Sequence, residues 1–169
     1  EKDQEKALDA LTLSLEKESD FWPAAMCCGQ IYEVQENWRT AYGYYNKALS
    51  HEYPAKALPN LHWGAAVCCN RLKNHAGVEQ HASDYLKMVS DDYELLGPLG
   101  WAMMKQGKYT EALKVFENQI RLGEDGVHAV RNRAEALAKL GRIQEAIETW
   151  KSSSFRGQLP KYVKDKIAQ

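Results

Sequence analysis

Residues 96–116 read LGPLGWAMMKQGKYTEALKVF, and residues 130–150 read VRNRAEALAKLGRIQEAIETW. Aligned at an offset of 34, they place Gly107 over Gly141, Tyr109 over Ile143, Ala112 over Ala146, Phe116 over Trp150 and Ala102 over Ala136. The offset continues towards the start of the chain. Val78 precedes Ala112 by 34, His75 precedes Tyr109 by 34, and Ala7 and Leu11 precede Ala41 and Tyr45 by 34. From Ala41 to Val78 the step is 37, so three residues are inserted, most simply in the stretch Tyr53 to Asn60 with its Pro54 and Pro59. Self-similarity at such a period marks a repeat architecture in which each unit is one supersecondary element.

The repeated positions carry a physical logic. Two antiparallel helices approach closely only where one offers a residue without bulk. Gly29, Ala66, Gly100 and Ala134 recur at one such place, and Ala41, Val78, Ala112 and Ala146 at another. Tyr45, Phe116 and Trp150 follow the small residues of the second set by four, on the same helical face, and fill the remaining space. Gly107 and Gly141 suit a left-handed helix terminus between the two helices of a unit. A lone helix pair cannot bury its faces, so stacked copies must share an elongated core.

These residues resemble the tetratricopeptide repeat family. The best copy is Leu96, Leu99, Gly100 and Met103, then Gly107, Tyr109, Ala112 and Phe116; the next has Val130, Ala134, Leu137, Gly141, Ile143, Ala146 and Trp150. An earlier copy has Ala25, Cys28, Gly29, Tyr32, Trp38, Ala41, Tyr45 and Ala48, and the weakest has His62, Ala65, Ala66, Cys69, His75, Val78, Ala82 and Tyr85. The resemblance implies an all-α fold, a right-handed superhelical solenoid of antiparallel helix pairs, as a single domain over 1–169. Its register gives helix B of a truncated repeat over 1–18, repeats over 22–55, 59–92, 93–126 and 127–160, and a terminal helix over 161–169. The opening half-repeat has two readings, a cut through a longer solenoid or a lone capping helix.

Some positions depart from the family pattern. The proline usual near each repeat end is replaced by Tyr53, Asp91, Glu124 and Gln158, and Arg133 stands where an apolar residue is normal. Pro98 cannot sit inside a helix that starts near Tyr93 without removing a backbone bond. That helix is expected either to kink or to begin at Pro98.

In the family, helix A lines the inner surface, and its fifth, ninth, twelfth and thirteenth positions face the ligand. Carried over, these are Met26, Gln30, Glu33 and Val34, then Trp63, Val67, Asn70 and Arg71, then Gly97, Trp101, Met104 and Lys105, then Arg131, Glu135, Ala138 and Lys139. The resemblance thus implies a concave groove holding a peptide of a partner protein. Trp63, Trp101 and Met104 would be the anchors, and Asn70, Arg71, Lys105, Arg131 and Glu135 the polar rim. Each Trp also has a plain structural reading, since helix A packs on its neighbours. The Lys and Asn clamp by which some relatives hold chaperone tails is missing, because Met26, Gln30, Trp63 and Gly97 occupy that surface.

Composition narrows the alternatives. With 44% hydrophobic and 27% charged residues, and only 5 Pro and 11 Gly, the chain is an ordinary globular sequence that favours helix. No apolar run reaches the roughly 18 residues of a membrane span. From residue 127 onwards nine Lys and Arg face four acids, a local charge of +5, so the preceding 126 residues sum to -6 against the overall -1. That balance, with a pI near 6.6, leaves no continuous positive stripe, so RNA binding through Trp63, Trp101 and the basic end is the weaker rival. Self-assembly through an exposed solenoid edge is the other.

The four cysteines fall as Cys27-Cys28 and Cys68-Cys69. Neighbours on a helix point about 100° apart, so neither pair closes on one ion, and buried small hydrophobes is the expectation. Free thiols in a chain of this size favour a reducing compartment, hence a cytoplasmic expectation. His51, His62, His75, His81 and His128 form no i, i+4 pair, and Gly97-Pro98-Leu99-Gly100 lacks the strand that a phosphate loop requires. No metal, cofactor or catalytic role is therefore expected.

Overall fold

The computed structural model describes residues 2–19, 21–50, 55–90, 92–123 and 126–152. Among them every regular element is helical, and the fold is that of the all-α solenoid class built from helix pairs. The expected terminal helix over 161–169 lies outside the described residues, as do Tyr53, Pro54, Asp91, Glu124 and Gln158.

Packing divides the chain into two compact units, over 1–90 and 91–169. In the first, α1 (Lys2–Lys17) is followed by the pair α2 (Trp22–Val34) and α3 (Trp38–Leu49), a short 3₁₀ turn (Ala55–Ala57), and the pair α4 (Leu58–Arg71) and α5 (His75–Met88). In the second, α6 (Leu96–Lys105) pairs with α7 (Tyr109–Arg121), and α8 (Val127–Lys139) with α9 (Ile143–Ser152). Within each unit helices touch their neighbours in sequence, with α2 also reaching α4 and α6 reaching α8. In such stacks the core is local to adjacent repeats.

Each pair closes through the same three-residue turn. At Glu36, Lys73, Gly107 and Gly141 the backbone turns left-handed, with φ of 56°, 58°, 79° and 78°. The next residue's N–H then donates to a carbonyl in the last helical turn, as Asn37 does to Tyr32, Asn74 to Cys69, Lys108 to Met103 and Arg142 to Leu137. This is the double closure of a Schellman terminus, and it satisfies carbonyls that the helix end leaves open. Two of the four turns also cap the next helix, since Asn37 accepts from the Thr40 N–H at 3.4 Å and Asn74 from the Gly77 N–H at 3.1 Å.

The small and large positions meet as chemistry requires. Ala41, Ala66, Val78, Ala112, Ala134 and Ala146 are fully buried, and Phe116 and Tyr45 fill the space between helices. An added Cβ at Gly29 would stand 3.1 Å from the Tyr45 ring, and one at Gly100 only 2.4 Å from Phe116. Tyr45 is gripped from a second side by Gly64 of α4, a position the sequence pattern does not single out. Cys28, Cys68 and Cys69 are buried with these residues, and Cys27 is half-buried.

One expectation is revised, and one departure from the pattern is accounted for. Pro98 neither kinks α6 nor opens it: the helix begins at Leu96, and Pro98 is its third residue. The first intrahelical acceptor is the carbonyl of Leu95, used by Leu99, so Pro98 sits where an N–H would have had no partner in any case. Arg133 is half-buried at its departure from the pattern because it is satisfied there. Its Nη1 donates to Thr149 Oγ1 at 2.5 Å, and its Nε lies 3.5 Å from Glu117 Oε1, tying α8 to α9 and α7.

Candidate functional site

Helix A of a repeat and helix A of the next stand side by side, and the furrow between them recurs in both units. In the first unit it has a volume of about 590 Å³ and is lined by Gln30, Glu33 and Val34 of α2, Trp38 and Tyr45 of α3, and Asn60 and Trp63 of α4. In the second it measures about 220 Å³ and is lined by Trp101, Met104 and Lys105 of α6, Tyr109 of α7, and Glu135 and Lys139 of α8. The two linings correspond through the repeat: Gln30, Glu33, Val34 and Trp38 precede Trp101, Met104, Lys105 and Tyr109 by the same 71 residues. The larger volume falls within the usual range of small-ligand sites, about 300 to 1,000 Å³, and the smaller below it.

The first furrow is amphipathic. Trp38 and Trp63 are half-buried on its walls, and Val34, 71% exposed, is one of the few large apolar residues left open to water. Its floor is polar. The buried Tyr45 hydroxyl donates to Glu33 Oε2 at 2.7 Å, and burial, then this bond and the Glu33 charge, push the phenol far above its ordinary range. The bond fixes the orientation of one carboxylate oxygen, and Glu33 is only half-buried. Outside the lining, the Arg71 guanidinium lies over the Trp38 ring, 5.1 Å from its centroid, in a cation–π contact.

The second furrow is more basic. Lys105 lies over Trp101 at 4.7 Å, Lys139 is exposed beside it, and Glu135 is half-buried. Met104 is one of the anchors that the sequence implies. It is buried at 7% exposure and packs with Leu113, Phe116 and Leu137, so it offers the furrow only a floor. Met104 belongs to the core cluster formed with residues of α7 and α8.

The sequence-derived residues thus fall into groups. Gln30 and Trp63 are brought together in one furrow, and Trp101, Met104, Lys105 and Glu135 in the other. Met26 is half-buried against the core of the first unit. Val67, half-buried, and Asn70, Arg71 and Arg131, exposed, do not line either furrow. Trp38 and Tyr109 were missed as wall residues. A signal existed, since both open helix B directly after the left-handed turn, but the position reads as a turn filler when each repeat is taken alone.

Among the described residues no group of three His, Cys, Asp or Glu side chains is placed to hold a metal ion, and no helix is long and apolar enough to cross a membrane.

Comparison with known proteins gives a consistent likeness. Residues 98–151 match the family model of the tetratricopeptide repeat. The TPR repeat-containing thioredoxin TTL4 of Arabidopsis thaliana is 35% identical over 72 residues, which cover 43% of this chain and 10% of that protein. The chain therefore spans about a tenth of that relative's length. Among solved structures, MamA superposes with a TM-score of 0.77 at 12% identity, over 94% of this chain and 90% of its own. YrrB, described as a TPR protein with an unusual peptide-binding site, superposes with a TM-score of 0.74 at 18% identity, over 99% of this chain and 85% of its own. At such identities the likeness is one of fold.

Proposed function

We infer that this chain, whose residues 98–151 match the tetratricopeptide repeat model, is a protein-interaction module whose first unit holds a short peptide segment of a partner in the furrow between α2 and α4. The observation that carries the reading is the pair of indoles, Trp38 and Trp63, that line one furrow half-buried beside the Tyr45–Glu33 hydrogen bond. Rigid aromatic walls bury an apolar side chain at small entropic cost and are the residue type enriched where binding energy concentrates. Glu33, steadied by Tyr45, accepts from a guest N–H or pairs with a guest cation, while the Gln30 and Asn60 amides serve the guest's backbone. The second furrow, with Lys105 and Lys139, suits an acidic or carbonyl-rich stretch.

The test is selection of a displayed random dodecapeptide library on the whole chain. Enriched peptides should carry a large apolar residue next to a basic one. They should bind a Trp38→Ala, Trp63→Ala double variant about thirtyfold or more weakly, the loss of roughly 2 kcal/mol that one truncated anchor costs. Retention of wild-type affinity by a double variant with unchanged helicity would end the assignment.

A further inference from the structure

The repeat holds an internal control for the first furrow. Glu33 and Tyr45 precede Met104 and Phe116 by the same 71 residues. In the second unit these two positions carry apolar side chains, and Met104 and Phe116 pack in one core cluster at 7% and 0% exposure. In the first unit they carry a carboxylate and a phenol joined at 2.7 Å, with Tyr45 buried and Glu33 half-buried. A helix pair of this register therefore closes without a polar group at either position. Holding a carboxylate partly out of water costs free energy that the fold does not require, and a cation brought to it offsets that cost.

The other lining residues narrow the choice of cation. Trp38 and Trp63 line the same furrow as Glu33, both half-buried. Indole faces attract positive charge, and the Trp38 ring already holds one cation, the Arg71 guanidinium. Glu33 is the one charged side chain among the described residues of the lining, and its Oε2 already accepts from the Tyr45 hydroxyl, which leaves Oε1 to a guest. A lysine ammonium brings three N–H donors and a guanidinium five, and each one taken from water without an acceptor is penalised. Methylation of a lysine keeps the charge, removes those donors and adds apolar surface for the indoles to bury.

We propose that the furrow between α2 and α4 recognises a trimethylated lysine of the partner peptide, its quaternary ammonium set against Trp38 and Trp63 and balanced by the Glu33 carboxylate. This rests on the peptide reading above and names the guest side chain. Choline and other free quaternary ammonium compounds share the head-group chemistry. They bring no main chain for the exposed Gln30 and Asn60 amides, so the peptide is the tighter guest.

The test is isothermal titration of the whole chain with a dodecapeptide from the library selection, its basic residue made in turn as lysine, as trimethyl-lysine and as the neutral tert-butyl analogue of trimethyl-lysine, and with choline alone. The trimethyl-lysine peptide should bind tighter than the lysine peptide and than choline by about tenfold or more, and tighter than its neutral analogue by about fivefold or more, the scale of a partly desolvated cation–π contact. Glu33→Gln, which keeps an acceptor for Tyr45, should bring the last ratio below about twofold. A lysine peptide that binds as well as the methylated one would overturn the proposal and leave the peptide reading standing. So would a neutral analogue of equal affinity, the mark of a plain apolar pocket, or an undiminished ratio in a Glu33→Gln protein of unchanged melting temperature. Enriched peptides without a basic residue would do the same. Choline binding as tightly as the peptide would assign the site to a free quaternary ammonium, and a selection that enriches no peptide would end the peptide reading and this one with it.

Discussion

The ring of Tyr45 lies so close to Gly64 that a Cβ at Gly64 would stand 2.4 Å from the phenol's Cζ. Tyr45 on α3 is thus wedged between Gly29 of α2 and Gly64 of α4, and its hydroxyl emerges at Glu33 in the candidate furrow. One residue sets the spacing of three helices and the polarity of the site they form.

This wedge makes Gly64→Ala and Gly100→Ala destabilising. Alanine gains about 1 kcal/mol over glycine inside a helix, but the forced shift of a buried ring costs roughly 1 to 3 kcal/mol. Gly43 lies exposed on α3 with nothing within 4 Å of an added Cβ. There the same change should stabilise by about 0.5 to 1 kcal/mol. Urea unfolding of the three variants should show opposite signs, and a stabilised Gly64→Ala would contradict the close packing.

The left-handed turns offer a second contrast. Glu36 and Lys73 hold φ of 56° and 58° with a side chain, where Gly107 and Gly141 hold the same place without one. Lys73→Gly should raise stability by about 0.5 kcal/mol or more, and Gly107→Ala should lower it by roughly 1 kcal/mol, since L-residues pay about 1 to 2 kcal/mol in this region. Thermal melts of both variants check the prediction.

Acid should weaken the first unit. His62 Nδ1 and His81 Nδ1 lie 3.2 Å apart, so one ring donates to the other's lone pair and the pair holds a single proton between these atoms. Burial lowers both imidazoles from the ordinary 6.5, and His62 lowers His81 further, while Asp84 works against the shift and Lys87 with it at His62; Tyr42 meets the His81 ring edge-on. A depressed histidine means that the unfolded chain binds more protons, so stability is full above about pH 6.5 and falls as pH drops below it. His62→Asn should flatten that slope in melting temperature measured against pH.

Thiol chemistry should separate the adjacent cysteines. Burial, the Glu33 charge and Cys69 push Cys68 up to about 12. Burial also raises Cys28 and Cys69, and only Cys27 of the four is half-buried. Thiolate is the reactive form. A disulfide reagent at neutral pH should therefore modify Cys27 first, with the other three following only on unfolding; rapid loss of Cys68 in folded protein would refute the burial.

Much of the fold was legible because its determinants are local or strictly periodic. The positions of Ala112 and Ala146, of Gly107 and Gly141, and of Phe116 and Trp150 follow from a register that any helix pair must repeat. The furrows were less legible. Trp63 and Trp101 were named from the repeat register, yet their companions Trp38 and Tyr109 belong to helix B and reach the furrow only because a three-residue turn folds them back over helix A. Met104 lines the second furrow as the register expects, yet it is buried, because a helical register fixes the direction of a side chain only to within a fraction of a turn.

The sequence alone determined that this chain forms helical hairpins, where each hairpin turns, and which small residues must oppose which large ones, because these depend on backbone sterics and on a spacing preserved through every copy. Tertiary structure alone decided which equivalent faces are covered. Leu11 and Tyr45 occupy the same repeat position, yet Tyr45 is closed in by α2 and α4 while Leu11 stays half-buried, since burial belongs to the neighbours a helix meets and is not written in the helix itself.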